Sequence, residues 1–301
     1  MFEPLFRCFA QTFRASTLSM LSHSPYWLKI NHLLIVCLAT AGIGFSAINA
    51  YAAEPMRVVI PRDENPDLEH IQYFYKLLDL ALHKTQDAYG PYELVEFAET
   101  TNYERYLQYV QNGTIDVLWT NTDPAREAAL HSVPISLLKD LNSYRIFFIR
   151  DTDQELFHNV KTLADLRRFR AGQGTTWPDT QVLRNNDLPV VTAMRQDSLI
   201  KMLASNRFDY YPRGLYEIWR EEKSLREPHI VIEDSVMIYY PSPVYYFVNK
   251  QNTLLAERLE KGLKLAQEDG SFDQLFFAVK NFNRGYQEQH SGKRKIITLS
   301  N

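Results

Sequence analysis

The chain has 301 residues, 45% apolar and 23% charged, which suits one large or two ordinary folded domains with sizeable cores. A formal charge of −3 leaves no basic excess to neutralise phosphates, and so argues against nucleic acid as a partner. Eighteen Tyr, seventeen Phe and four Trp bring the aromatic share to 13%, enough to fill cores and still line a cleft that stacks on flat ligand parts.

The N-terminus reads as a targeting segment. Lys29 and His32 precede an apolar run, Leu33 to Ile48, and Ala50-Tyr51-Ala52 has the small-x-small pattern of a cleavage site before Ala53. The run is short for a membrane span, which needs about 20 residues, and this favours a cleaved leader; an uncleaved anchor is the rival reading. Signal peptides usually take about 15–30 residues, which makes Met20 a candidate for the true start of a leader over 1–52. Both cysteines, Cys8 and Cys37, fall in this segment. The remainder then has no thiol for disulfides, thiolate chemistry or metal ligation. Cys37 stands in mid-run after Val36, away from where a lipid-attachment cysteine belongs. Removing the segment takes three basic residues and one acidic residue with it. The formal charge becomes −5, as suits a secreted or periplasmic protein.

From Met56 to Pro61 the sequence is a short apolar strand, followed by a polar loop over Arg62–Asp67. Ile71, Phe74, Leu77, Leu78, Ala81 and Leu82 recur at helical spacing over 70–84. A strand at Tyr92–Phe97, a helix at Tyr103–Val110 stopped by Asn112-Gly113, and a strand at Thr114–Trp119 follow. This alternation predicts an α/β protein with parallel strands under covering helices. Residues 143–150 (SYRIFFIR) are strand-like with no long helix before them, as an extended crossover between two lobes would be. The alternation resumes with helices near 163–169, 178–184, 198–204 and 215–222, and strands near 170–174, 190–192 and 208–211. Residues 230–249, punctuated by Pro241 and Pro243, read as the return crossover. A helix over Leu254–Gln267 ends at Asp269-Gly270, and the basic tail at Lys293–Ile297 reads as an edge strand or a solvated terminus.

The stretch Thr114–Pro134 (TIDVLWTNTDPAREAALHSVP) organises the functional reading. A buried-type strand runs into polar residues, and Asp123 and Pro124 are good N-cap and first-turn residues for a helix that carries Arg126. Ligands of open α/β sheets lie beyond the carboxyl ends of strands, where helix N-termini expose donors, and an Arg there adds a fork for a carboxylate or phosphate. A surface Arg on an ordinary helix is the alternative.

The chain resembles the bacterial periplasmic solute-binding proteins of the type II class, in particular the extracellular solute-binding family 3 that includes amino-acid receptors of ABC transporters. Four segments carry the resemblance: NGTIDVLW (Asn112–Trp119), TDPARE…VPI (Thr122–Ile135), KTLADLRRFRAGQGTTW (Lys161–Trp177) and LAERLEKGLKLAQEDGSFDQLF (Leu255–Phe276). It implies two α/β lobes, each a mostly parallel sheet flanked by helices, joined by two crossover strands and closing on a solute. Lobe one would comprise 53–140 and 242–301, and lobe two 141–241. It further implies Arg126 as the residue that holds a ligand carboxylate, supported by Thr120 and Asn121. Gly174, Thr175 and Thr176 would complete the anion site at a lobe-two helix N-terminus. Trp177 and Trp119 would face either ligand or core, and Tyr245 lobe packing.

Two departures qualify this. The amino-acid receptors place an Asp for the ligand ammonium where this chain has Arg213 or Gly214, and their Gly-Phe-Asp entry to the first helix is replaced by LEHIQYFYKLL. With Arg62, Arg126 and Arg213 all candidates for the cleft, the expected ligand is a small anionic solute, unless Glu217 already pairs with Arg213. Glu221-Glu222 and Glu233-Asp234 read as solvated faces. No nucleophile elbow, phosphate loop or HExxH is present, and the six histidines beyond residue 52 have no metal-ligand spacing. The expectation is therefore a periplasmic receptor without cofactor or metal, a monomer, and not an enzyme. Its role would be ABC-type uptake through a membrane permease. The alternatives are the ligand-sensing partner of a membrane signalling protein, or a cyclohexadienyl-type dehydratase on the same fold.

Overall fold

The computed structural model describes residues 54–300; the expected leader over 1–52, with Met20, Cys8 and Cys37, lies outside them. The chain from Ala53 onward forms one compact unit. In its first part, β1 (Met56–Ile60), α1 (Glu69–Lys84), α2 (Gln86–Tyr89), β2 (Tyr92–Glu96), α3 (Tyr103–Gln111), β3 (Val117–Asn121), α4 (Pro124–Ala129) and β4 (Leu130–Val133) follow in order. The middle holds β5 (Tyr144–Arg150), α5 (Gln154–His158), α6 (Leu163–Leu166), β6 (Ala171–Gly174), α7 (Pro178–Asn185), β7 (Val190–Ala193), α8 (Gln196–Ala204), β8 (Tyr211–Gly214), α9 (Ile218–Ser224), β9 (Ile230–Ile232) and β10 (Val236–Tyr239). The last part adds β11 (Val244–Asn249), α10 (Thr253–Glu268), α11 (Ser271–Ala278), α12 (Lys280–His290) and β12 (Lys295–Thr298).

The strands fall into two groups. β1 and β2 pair in parallel, and β3 and β4 flank β11, both antiparallel to it. Asp116 joins the two pieces: its backbone N–H donates to Val59 O at 2.8 Å, and its carboxylate accepts from Val59 N at 2.7 Å. In the second group β12, β10, β5 and β8 lie side by side with β9 also on β5, and Gly172 N–H links β6 and β7 to Tyr210 O. The α/β plan in two lobes holds, but the sheets are mixed. The crossover strands β5 and β11 pair antiparallel with their neighbours because the chain enters each lobe from the other.

Three segments depart from expectation. The strand expected at 208–211 runs instead over β8, with Arg213 opposite Ile146, so the following helix starts at Ile218 rather than Leu215. Helix α12 was not anticipated. The tail is a strand, but β12 pairs with β10 of the second lobe, so 280–300 do not belong wholly to lobe one.

The crossing segments bond to each other. Asn142 Nδ2 donates to Ser242 O at 2.8 Å, Ser242 N–H donates to Ser143 Oγ at 2.9 Å, and Leu137 N–H donates to Val244 O at 2.9 Å. One apolar core extends through this region, from Leu77, Leu78 and Leu259 to Phe148, Tyr211 and Leu215.

The tightest joint in the first lobe is α1 against α10. Gly262 lies so close to α1 that a Cβ there would run into the Ala81 carbonyl oxygen. Arg258, on the same face of α10, is fully buried, donating to Leu82 O and Thr85 Oγ1 at the C-terminal end of α1 and to Gly90 O at the end of α2, where carbonyls lack helical partners. Gly in mid-helix is about 1 kcal/mol worse than Ala by propensity, whereas forcing a packed helix pair apart costs about 1–3 kcal/mol. Gly262→Ala should therefore destabilise, visible as a lower urea midpoint at unchanged slope; a raised midpoint would show the contact to be loose.

Candidate functional site

A cavity of about 350 Å³ opens between the lobes, next to the hydrogen-bonded crossing segments. The first lobe contributes His70 and Phe74 from α1 and Trp119, Thr120 and Asn121 from the end of β3. The second contributes Arg145 from β5, Trp177 and Asp179 from the start of α7, and Arg213, Tyr216 and Glu217 from β8 and the turn after it. A second cavity of about 300 Å³ lies in the first lobe behind Trp119, walled by Arg62, Tyr75, Tyr103 and Tyr106. Trp119 divides the two, stacked on Phe74 at 5.4 Å and edge-on to Tyr75 at 5.1 Å.

The guanidinium groups in the main cavity all have carboxylate partners. Arg145, 4% exposed, donates to Asp179 Oδ1 from Nε at 3.2 Å and from Nη2 at 2.8 Å, and lies over the Tyr240 ring at 5.0 Å. The Tyr240 hydroxyl donates to the same oxygen. Burial disfavours the Asp179 carboxylate, but Arg145 and Tyr240 outweigh it and hold the group below its ordinary range. Arg213 makes a two-pronged pair with Glu221, 2.8 Å from Nε and 2.6 Å from Nη2, and its Nη2 also reaches Glu217 at 2.8 Å. Trp177 and Tyr211 stand against its faces at 4.9 and 5.3 Å. Glu217 therefore shares an arginine that Glu221 already neutralises. Burial raises the Glu217 pKa above 4.5 even though Arg213 pulls it down, and Glu221 adds to the rise. Across the cavity, burial and Arg220 lower the His70 pKa to about 4, so that imidazole is neutral at neutral pH.

The structure brings Trp119, Thr120, Asn121, Trp177 and Arg213 to this cavity. Arg126 is not among the lining residues. Its Nη1 donates to Asn121 O at 3.0 Å and pairs with Asp123 at 2.5 Å, and its guanidinium covers the Tyr103 ring at 5.5 Å. It stands behind the wall, touching the cavity only through Asn121 and through Tyr103, whose hydroxyl donates to Thr120 Oγ1. Local partners hold it there: Asp123, the cap of its own helix, and the Tyr103 ring lie closer to it than the cavity does. Thr175 and Thr176 are exposed and line neither cavity, and Thr175 N–H already donates to Ala193 O. Gly174 is buried, its carbonyl accepting from Thr180 Oγ1 at 2.6 Å. Arg62 is exposed in the smaller cavity and faces Glu96 at 3.9 Å. The expected surplus of positive charge is therefore absent from the main cavity.

Sequence reasoning missed Arg145, Asp179, Glu221 and His70. The signal for Arg145 was present: a charge inside the apolar run of SYRIFFIR requires a buried partner. Asp179 gave none, since an acid in the first helical turn is ordinary. Glu221 is 8% exposed and Glu233 fully buried, so neither carboxylate belongs to a solvated face. Glu233 accepts from Ser235 N, Val236 N and Arg294, and neutral and charged donors together offset its burial.

No protein-family model and no curated sequence matches the chain. Solved structures match by shape. An extracellular-binding protein of Bacillus subtilis, described as belonging to a probable amino-acid ABC transporter, superposes with a TM-score of 0.57 at 13% identity over 76% of this chain and 99% of its own. An ancestral arginine-binding protein bound to arginine gives 0.54 at 17% identity, with the same coverage of both chains. A histidine kinase sensor domain similar to periplasmic binding proteins gives 0.52 at 16%, over 76% and 96%. The chain has the two-lobed fold of the type II periplasmic binding proteins.

Removing Arg145 would leave Asp179 without its cation inside the protein. Losing one partner of a buried pair costs about 3–5 kcal/mol, and Asp179 keeps the Tyr240 hydroxyl and a face on the cavity. Arg145→Met should therefore lower stability by about 3 kcal/mol, measured by chemical denaturation; a loss below half of that would mean the pair is solvent-screened.

Proposed function

We propose that this protein is a divergent periplasmic solute-binding receptor whose main cavity closes on a small solute with a cationic group. One observation carries the reading. Arg145 is balanced by Asp179, and Glu221 takes both Nε and Nη2 of Arg213 and has Arg220 3.9 Å away, whereas Glu217 has only a share of Arg213 and faces the cavity from the turn before α9. A ligand ammonium or guanidinium placed there gives Glu217 a cation of its own, offsetting the burial and the Glu221 repulsion that raise its pKa. Phe74, Trp119, Trp177 and Tyr216 offer surfaces for an apolar or flat remainder. A ligand carboxylate would meet Arg145 or Arg213 rather than Arg126. Glu217 thus stands in for the acid missing beside Arg213, and a zwitterion replaces the anionic solute expected from arginine count alone.

The uptake role, with delivery to a membrane permease, follows the ABC-transporter binding protein among the similar structures. The sensor domain among them supports a second reading, a ligand-sensing partner of a membrane protein. In both, the protein binds its solute without turnover, in the space outside the inner membrane.

The test is a thermal-shift screen of the chain from Ala53 against amino acids, simple amines, dicarboxylates and phosphonates. An amine-bearing solute should stabilise it, and Glu217→Gln should weaken that solute at least tenfold, about 1.4 kcal/mol. Only ionised Glu217 attracts the cation, so wild-type affinity should fall as pH drops through its raised pKa, above 4.5, and the Gln variant should lose that dependence. Arg126→Ala should weaken binding only modestly. Tight binding of a dicarboxylate that is indifferent to Glu217→Gln would overturn the cationic assignment, and turnover of any bound solute would overturn the receptor.

A further inference from the structure

The chain passes between the lobes a third time. Beyond the two crossing segments, it leaves the first lobe after α11 and runs through α12, which lies on both lobes. Toward the first lobe, Phe282 packs edge-on to Tyr73 at 5.0 Å and against Phe276 at 5.4 Å, and Tyr286 meets Phe277 at 5.2 Å. Toward the second, Arg284 covers the Trp219 ring at 4.8 Å, and its Nη1 stands 3.9 Å from Glu222. Between them Gly285 sits so close to the second lobe that a Cβ would come within 2.6 Å of the Leu215 carbonyl oxygen.

The far end is anchored more firmly. Arg294 pairs with Glu288 of α12 at 2.5 Å and with the fully buried Glu233 at 3.3 Å. β12 then runs parallel to β10 for four residues, Val236 to Tyr239 against Lys295 to Thr298. Leu299 N–H continues the ladder to Tyr239 O at 2.8 Å, and Ser300 exchanges hydrogen bonds with Asn186.

We infer that residues 280–300 are a strap that limits how far the two lobes separate, whether or not the cleft is occupied. Closure and opening of two lobes about a pair of crossing strands is a rigid-body rotation absorbed by a few residues. Here that rotation also pulls on a third connection whose ends are fixed in different lobes. To open widely, the protein must either strip the aromatic rings of α12 from Tyr73 and Phe276, or break the buried Arg294–Glu233 pair and the β10–β12 ladder. A narrow gape, with α12 sliding slightly on Leu215, needs neither. Packed contacts of this kind switch between discrete arrangements rather than stretching, so the strap restricts range instead of merely slowing motion. This does not depend on what the cleft binds.

The test measures lobe separation with no ligand. The chain from Ala53 has no cysteine, so Asp67→Cys on the first lobe and Met194→Cys, at a site 79% exposed on the second, give unique spin-label sites on either side of the cleft. Pulsed electron–electron distance measurement on the otherwise unaltered chain should give one narrow distribution. Ending the chain after Val279 should broaden it roughly twofold toward longer distances. Because that truncation exposes apolar surface, Gly285→Leu provides the second variant: it keeps every other residue but wedges α12 away from Leu215, and should broaden the distribution in the same direction. If the truncated chain does not fold, as judged by circular dichroism, the Gly285→Leu comparison decides alone. A distribution already broad in the unaltered chain overturns the strap, as does one that stays narrow in every folded variant.

Discussion

A buried guanidinium must be given partners or the fold does not close around it, and that requirement shapes this protein at four places. Arg258 has no carboxylate partner among the described residues and is served by carbonyls, a hydroxyl, the Met56 sulfur and the rings of Tyr89 and Tyr92, so it caps a helix end and locks α1 to α10. Arg294 joins Glu288 and Glu233 and so fixes the C-terminal strand. Arg145 and Arg213 face the cavity and are supplied from the sheet and helices of the second lobe. The first pair of these arginines is structural. The second pair sets the electrostatics of the cleft. Their neutralisation within the protein removes the attraction for anions that a count of arginines suggests, and leaves Glu217 with only a share of Arg213.

Much of the scaffold was legible because it rests on local rules. The period of apolar residues in α1 and α10, the Asn112-Gly113 stop and the Asp123-Pro124 start are each decided within a few residues of sequence. The site was less legible because partners in it are distant: Arg145 meets Asp179 across 34 positions, and the Glu221 pair with Arg213 depends on a strand-to-helix turn that pattern reading placed three residues early. Glu221 and Glu233 show the limit most plainly. A carboxylate beside another acid has the composition of a solvated face, and only the tertiary arrangement reveals that an arginine eight or sixty-one positions away has taken it inside.

Arg126 shows a different limit, since residue type and setting do not say which way a side chain turns. The residue type and the strand-to-helix setting are those of an anion anchor, while the structure lays the guanidinium back onto Asp123 and Tyr103. There it still bears on the cleft. Its bond to Asn121 O and its cover over Tyr103, which in turn holds Thr120, fix the polar edge that the first lobe presents to the cavity.

The division of labour between the lobes gives the third crossing its meaning. The first lobe brings aromatic rings and neutral polar groups to the cavity, while every charged pair belongs to the second. A ligand held by charge on one side and by stacking on the other is bound well only when the two sides are already in register, because each rotation of the lobes separates Trp119 from Glu217. Restricting that rotation reduces the conformational freedom lost on binding, which favours affinity. It also shrinks the difference between empty and loaded shapes that a membrane partner would read, since a ligand shifts an equilibrium only by its differential affinity for the two states. A strapped cleft of this kind is therefore better suited to holding a solute in one fixed arrangement than to announcing it by a wide swing of the lobes.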